Sequence, residues 1–427
     1  MGIQDLIITP FYFFILLVAA YMIRPLVTNS LTKKYFIPGL LAKFGGAIAI
    51  GLVYQFYYSW GDTYTYFREA RIIWNIFLES PESALRLIFQ SSDNVNDLFH
   101  YTNRMWTFKS SNNFSMIRIL SFLNLFTFST YSSTALLLAC FSFAGSWAFY
   151  SSLCLRYTSE HKKLALAVLF IPSVIIWGSG IFKDTITFAA LMWLAWSAFN
   201  LIENRKNSAR YYIVGAISII IIAAIKVYII ICFIPNVVIW YFLHKAVNIK
   251  NGLLKILVVP FLIVFALVFA IFGAQQTANI DQKYALENLA TTAQITAYDI
   301  AYYSGAGGST YTLGSLDGSW GSMLKLTPQA INVSMFRPYL WEVSNPLMLL
   351  SAFESLLFTL LTIKLIFRKN NLMTTIIENP FLLFCLTFSI IFAFAVGVST
   401  FNFGTLVRYK IPLMPFYAAF LVLSSKK

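Results

Sequence analysis

Asp62 stands directly behind a run of aromatic residues, Tyr54, Phe56, Tyr57, Tyr58 and Trp60. A carboxylate in that position can accept the proton of an attacking hydroxyl. Five cations occupy comparable junctions between apolar stretches and short turns: Lys183 in PSVIIWGSGIFKDTITF, Lys226 in AAIKVYII, Arg337 in FRPYLWE, and Arg408 and Lys410 in TLVRYKIPLMP. Fixed cations stabilise the charge of a departing phosphate best where water is scarce. Arginine does so with a bidentate fork and lysine as a point charge. Asp184 and Glu342 are the acids beside two of these cations, and Trp60, Tyr64, Tyr66, Tyr339 and Trp341 offer flat faces for sugar rings. Base, phosphate ligands and stacking faces together are the parts needed for glycosyl transfer from a phosphate-linked donor.

Each residue also has a plainer use. Asp62 can be a helix-terminal acid, and Lys183 with Asp184 can cap the helix that follows. Lys226 can snorkel from a short crossing. Arg337 and Glu342 can form a local ion pair, and Arg408 and Lys410 can anchor a helix at the interface.

The elements that hold these residues follow from composition. The 427 residues are 59% hydrophobic and 11% charged, with a mean hydropathy of +0.71. Soluble domains carry about 25% charged residues, so this chain has too little polar surface to be a soluble enzyme or a soluble nucleic-acid binder. It reads as an all-α, polytopic transmembrane bundle forming a single membrane domain. Eleven segments are long and apolar enough to cross: 6–27, 37–58, 132–155, 164–182, 185–202, 211–225, 227–243, 254–273, 346–366, 379–397 and 409–423. The first has no basic leader or cleavage site and reads as a retained helix.

The formal charge of +14 is concentrated in alternate loops. These hold Lys33 and Lys34; Arg156, Lys162 and Lys163; Arg205, Lys206 and Arg210; Lys245, Lys250 and Lys255; Arg368 and Lys369; and the tail Lys426 and Lys427. Short basic loops lie on the cytoplasmic side, so the N-terminus is expected outside and the C-terminus inside. Counting 116–155 as two crossings would break this alternation, so 116–128 is expected to be an interfacial or re-entrant helix.

Two long loops, 59–115 and 274–345, then lie on the extracytoplasmic face. In the first, Phe67, Ala70, Ile73, Trp74 and Phe77 recur at helical spacing, and Ser80-Pro81-Glu82 starts a second short helix. The second is expected to be helical near 281–303. It continues through SGAGGSTYTLGSLDGSWG, whose six glycines suit a lid, and closes with FRPYLWE.

Cys140, Cys154, Cys232 and Cys385 lie within apolar segments without CxxC spacing, and His100, His161 and His244 are scattered. No metal site and no cofactor is expected from them. The loops carry no nucleotide-cradling pattern. A donor activated elsewhere and presented on a lipid, at the outer face, is therefore the expected substrate.

GDTYTY immediately after a crossing, followed by paired interfacial helices, resembles the first external loop of the GT-C class of membrane glycosyltransferases. PSVIIWGSGIFKD and NFGTLVRYKIPLMPFYA resemble stretches of bacterial O-antigen and exopolysaccharide polymerases. The resemblance implies Asp62 as catalytic base, Lys183 and Arg408 as phosphate ligands, and a polyprenyl-(pyro)phosphate-linked sugar or glycan as donor. Membrane lipids and other polysaccharide-assembly proteins would be the partners, nucleic acid would not, and the inner (plasma) membrane would be the location. The rival readings are a lipid-linked oligosaccharide flippase or other secondary transporter, and a non-catalytic assembly subunit.

Overall fold

The computed structural model describes residues 2–59, 61–90, 92–204, 207–246, 285, 287–303, 309–368 and 372–425. Among them the elements are helices, joined by one isolated antiparallel bridge between Thr310 and Asn402. Among the described residues eight helices are long and apolar enough to cross a membrane: Ile3–Val27, Lys33–Tyr57, Tyr131–Arg156, Lys183–Ile202, Ala209–Lys226, Tyr228–Ala246, Pro346–Ile366 and Pro380–Ser399. The pair Phe403–Tyr409 and Met414–Ser424, bent by 67°, makes a ninth if counted as one span. The chain is thus an all-α protein of the multi-pass membrane type.

Nine of the expected segments coincide with these helices, and 254–273 lies outside the described residues. The segment 164–182 takes another form, two short helices, His161–Leu169 and Pro172–Trp177. Pro172 lacks an N–H and pushes Ile171 out of the α region, which separates them. The last span is broken for a similar reason, with Pro412 and Pro415 flanking its bend.

The chain divides into two compact units. The first comprises Met1–Ser151, Val174–Trp196 and Tyr212–Lys226. Ile3–Val27 presents Leu6, Ile7, Phe11, Phe14, Met22 and Leu26 outward, an apolar face suited to lipid. Closer packing comes from small residues. A methyl group on Gly145 would stand 2.8 Å from the Ala189 carbonyl oxygen, so Tyr131–Arg156 and Lys183–Ile202 meet backbone to backbone there. Outside the spans, Asp62–Glu79 buries Phe67, Ala70, Ile73 and Ile76 and packs on Ser111–Thr127, the helix expected at the interface. Pro81–Phe89 follows, with proline at its first position.

The second unit comprises Ser152–Ser173, Ser197–Tyr211 and Val227–Lys427. Pro380–Ser399 runs through its core, apolar on all sides and started by Asn379, whose side chain accepts from the Phe381 N–H. The described part of loop 274–345 is ordered on the end of this helix. Leu289–Tyr303, Trp320–Lys325 and Thr327–Phe336 bury Ala290, Ala297, Met323 and Ala330 against Val398 and Phe401. The Ser334 hydroxyl donates to the Ala393 carbonyl at 2.7 Å.

Gly397 permits this approach: a methyl group there would lie 2.7 Å from the Ala330 carbonyl carbon. Gly397→Val should cost about 1–3 kcal/mol, read as a lower thermal midpoint of the purified protein in detergent. Ile391→Val, on the same helix but 44% exposed, should leave the midpoint unchanged.

Candidate functional site

The second span loosens into a π-helical turn over Val53–Tyr57, and the chain reverses at Gly61, whose φ of +147° suits glycine. A Cβ on Gly61 would also lie 2.6 Å from Tyr54 Cδ1 and closer still to Cε1 of that ring. That turn puts Asp62 at the first position of Asp62–Glu79, where a carboxylate complements the helix dipole, with its side chain at the surface. Trp60 lies outside the described residues.

The Asp62–Glu79 helix spreads the candidates over opposite faces. Tyr64 stacks on Tyr131, centroids 4.5 Å apart and planes at 15°. Its hydroxyl donates to the Gly51 carbonyl at 3.1 Å and to Gln55 Oε1 at 3.2 Å. Thr63 and Tyr131 share a hydroxyl hydrogen bond of 2.6 Å. Tyr66, four residues after Asp62 and so on its face, donates to Asn113 Oδ1 at 3.2 Å. The Lys183 ammonium sits over the Tyr66 ring, 5.9 Å from its centroid. Acid, cation and aromatic are thereby gathered within one unit.

Asp184 and Lys226 meet differently. Their side chains form a 2.6 Å ion pair, 4% and 10% exposed. A lysine so buried is neutralised by its carboxylate, and this pair links the starts and ends of two spans, Lys183–Ile202 and Ala209–Lys226.

The remaining candidates lie in the second unit. The Arg337 guanidinium donates through Nε to both carboxylate oxygens of Glu342 at 3.0 Å, with a further contact from its terminal nitrogen. Rings of Tyr311, Tyr339 and Phe403 surround it at 5.5, 5.8 and 5.2 Å. Burial opposes the Glu342 charge, but the hydrogen bonds from Arg337 and from the Tyr339 N–H prevail and hold its carboxyl below the ordinary value. Tyr339 stacks on Trp341 at 4.8 Å, and Trp341 is 82% exposed. Lys410 is buried in the bend of the broken span and donates to the Arg337 carbonyl at 3.2 Å and to Ser355 Oγ at 3.4 Å. Arg408 is half-buried in the last turn of Phe403–Tyr409.

Among the described residues, two charges buried in mid-span, Lys43 and Glu354, escaped the sequence reading. In the first unit the Lys43 ammonium donates to Ser142 Oγ at 3.1 Å and to the carbonyls of Val174 and Gly178, both at 2.9 Å. In the second, Glu354 accepts from the Ser173 N–H at 2.8 Å through Oε2, while Oε1 is buried with no hydrogen-bond partner among the described residues. Both were signalled by a single charge in mid-span, in LLAKFGGA and SAFESLL. Among the described residues no group of three His, Cys, Asp or Glu is placed to hold a metal ion.

No protein family, curated protein or solved structure matches this chain.

Two outcomes follow. Asp184→Asn strands a buried ammonium and should cost about 3–5 kcal/mol, whereas Asp184→Asn with Lys226→Met should recover most of that stability. Thermal midpoints of the three proteins in detergent measure both effects. For Glu342, a depressed carboxyl contributes stability that is present above the ordinary value of 4.5 and is lost as pH falls through the folded one. The melting temperature should therefore drop on acidification through that range, and Glu342→Gln should flatten the drop.

Proposed function

We propose that this chain is an integral membrane glycosyltransferase using a polyprenyl-(pyro)phosphate-linked sugar or glycan on the extracytoplasmic face, in cell-surface polysaccharide assembly. The reading takes the N-terminus outside, the C-terminus inside and about eleven crossings in the inner membrane, with the divided segment 164–182 counted as one of them. The observation that carries it is Lys183 over Tyr66, one helical turn from Asp62 and on its face.

In this scheme the Asp62 carboxylate takes the proton of the acceptor hydroxyl. The resulting oxygen attacks the anomeric carbon, and the bond from that carbon to the phosphate oxygen breaks. The electron pair leaves on the phosphate, where Lys183 offsets the new charge. Tyr66 lies buried under the same cation and holds it in place. Lys226, Asp184, Arg337 and Glu342 are engaged in ion pairs and are assigned to holding loops. Arg408, and the Tyr339–Trp341 stack, supply cation and sugar-binding chemistry within the second unit.

One observation favours the transporter reading. Transporters place ionisable groups inside broken spans, and Glu354 and Lys410 are buried, Lys410 in the bend of such a span. Movement of a lipid-linked glycan across proteoliposomes without a new glycosidic bond would select it.

The test of the transferase is Asp62→Asn and Lys183→Met in purified protein given polyprenyl-linked sugars. Each should reduce transfer on the order of 10²–10⁴-fold at unchanged yield and thermal midpoint. Full activity in Asp62→Asn would remove the assigned base.

A further inference from the structure

The first unit contains a cavity of about 420 Å³ that the transfer scheme above does not use. Its walls come from three places. Gly2, Gln4 and Asp5 begin the first span, Ser129 and Tyr131 begin the third, and Tyr64, Phe67, Arg68 and Arg71 line one side of the Asp62–Glu79 helix. The spacing 64, 67, 68, 71 marks a single helical face, roughly opposite the one that carries Asp62 and Tyr66. The cavity is thus separate from the Asp62–Lys183 group.

Its charges are unbalanced. Asp5 accepts from the Gly2 N–H at 2.8 Å and from the Ser132 N–H at 2.8 Å. Its carboxylate therefore answers the N-terminal ends of two helices, Ile3–Val27 and Tyr131–Arg156. Arg68 and Arg71 remain, exposed, and among the described residues neither makes an ion pair or hydrogen bond. Two guanidiniums one turn apart, lining a cavity together with Tyr64, Phe67 and Tyr131, match a phosphate group. The volume lies in the range of pockets that hold a whole small ligand, about 300–1,000 Å³, so the phosphate carries a further substituent. Beside the cavity, Ile3, Leu6, Ile7, Phe11 and Phe14 form an exposed apolar track along the first span.

We propose that this cavity is a headgroup site for an anionic phosphate-bearing lipid, with Arg68 and Arg71 on the phosphate and the hydrocarbon chains along the Ile3–Val27 helix. The site does not depend on the transferase reading and stands or falls separately from it.

The test uses the full-length chain in nanodiscs of phosphatidylcholine containing a minor fraction of phosphatidylglycerol, with retained lipid read by native mass spectrometry. Wild type should retain phosphatidylglycerol preferentially. Arg68→Gln with Arg71→Gln should lose that preference by at least about tenfold, on the order expected for two basic residues at a membrane surface. Arg104→Gln, exposed but outside the cavity, should retain it, and thermal midpoints establish that the variants are folded. Polyprenyl phosphate added to the nanodisc separates two sources of the same headgroup: displacement of phosphatidylglycerol identifies the carrier lipid, and no displacement identifies bulk phospholipid, each a lipid phosphate as proposed. Equal loss in Arg104→Gln, or no loss in the double variant, overturns the site. Inorganic phosphate displacing the lipid as effectively as polyprenyl phosphate does overturns its assignment to lipid.

Discussion

In hydrocarbon a polar group has no water to turn to, so each charge and each interrupted helix must find its partner in protein. Much of this structure answers that demand. Lys43, Asp184 with Lys226, Glu354 and Lys410 are buried, and each lies against a carbonyl, an N–H, a hydroxyl or an opposite charge. Lys43 shows the economy of the arrangement in the first unit. Val174 and Gly178 supply carbonyls at the end of Pro172–Trp177, a helix of 6 residues, and the ammonium satisfies both. The turn from Gly178 to Phe182 that leads into Lys183 and Asp184 is held at its start by that contact.

The same constraint sorts the candidate residues. A cation already matched by a carboxylate at close range has little charge left for a ligand, and Lys226 and Arg337 are of that kind. Lys183 instead lies over the Tyr66 ring at the start of the span Lys183–Ile202. Asp62 is at the surface and at a helix start, where its carboxylate complements the helix dipole. The helix bearing it presents two chemistries: one face carries the acid beside Tyr66, the other carries Tyr64, Arg68 and Arg71 toward the cavity.

Much of the fold was legible in the sequence because the bilayer imposes a simple pattern. Runs such as 346–366 and 379–397 became helices with nearly those limits, and the periodicity of Phe67, Ala70 and Ile73 announced the helix Asp62–Glu79. The breaks were harder to read. Hydropathy registers apolarity and not continuity, so 164–182 looked like one crossing although Pro172 divides it, and 409–423 concealed the bend beside Pro412. Partnerships were the least legible part. Arg337 with Glu342 is five residues apart and could be anticipated; Asp184 with Lys226 depends on two spans meeting, which no local spacing reveals. Lys43 and Glu354 were visible as isolated charges, but their partners lie 131 and 181 residues away in the chain.

The central claim is that this chain makes a glycosidic bond on the outer face from a lipid-linked donor. The most direct measurement reconstitutes the purified wild-type protein in liposomes with a polyprenyl-linked glycan and follows the glycan by mass spectrometry. The account predicts products enlarged by whole sugar or repeat-unit masses, together with release of the polyprenyl (pyro)phosphate. Glycan that crosses the bilayer, or stays where it was, with its mass unchanged across a broad panel of donors would contradict it.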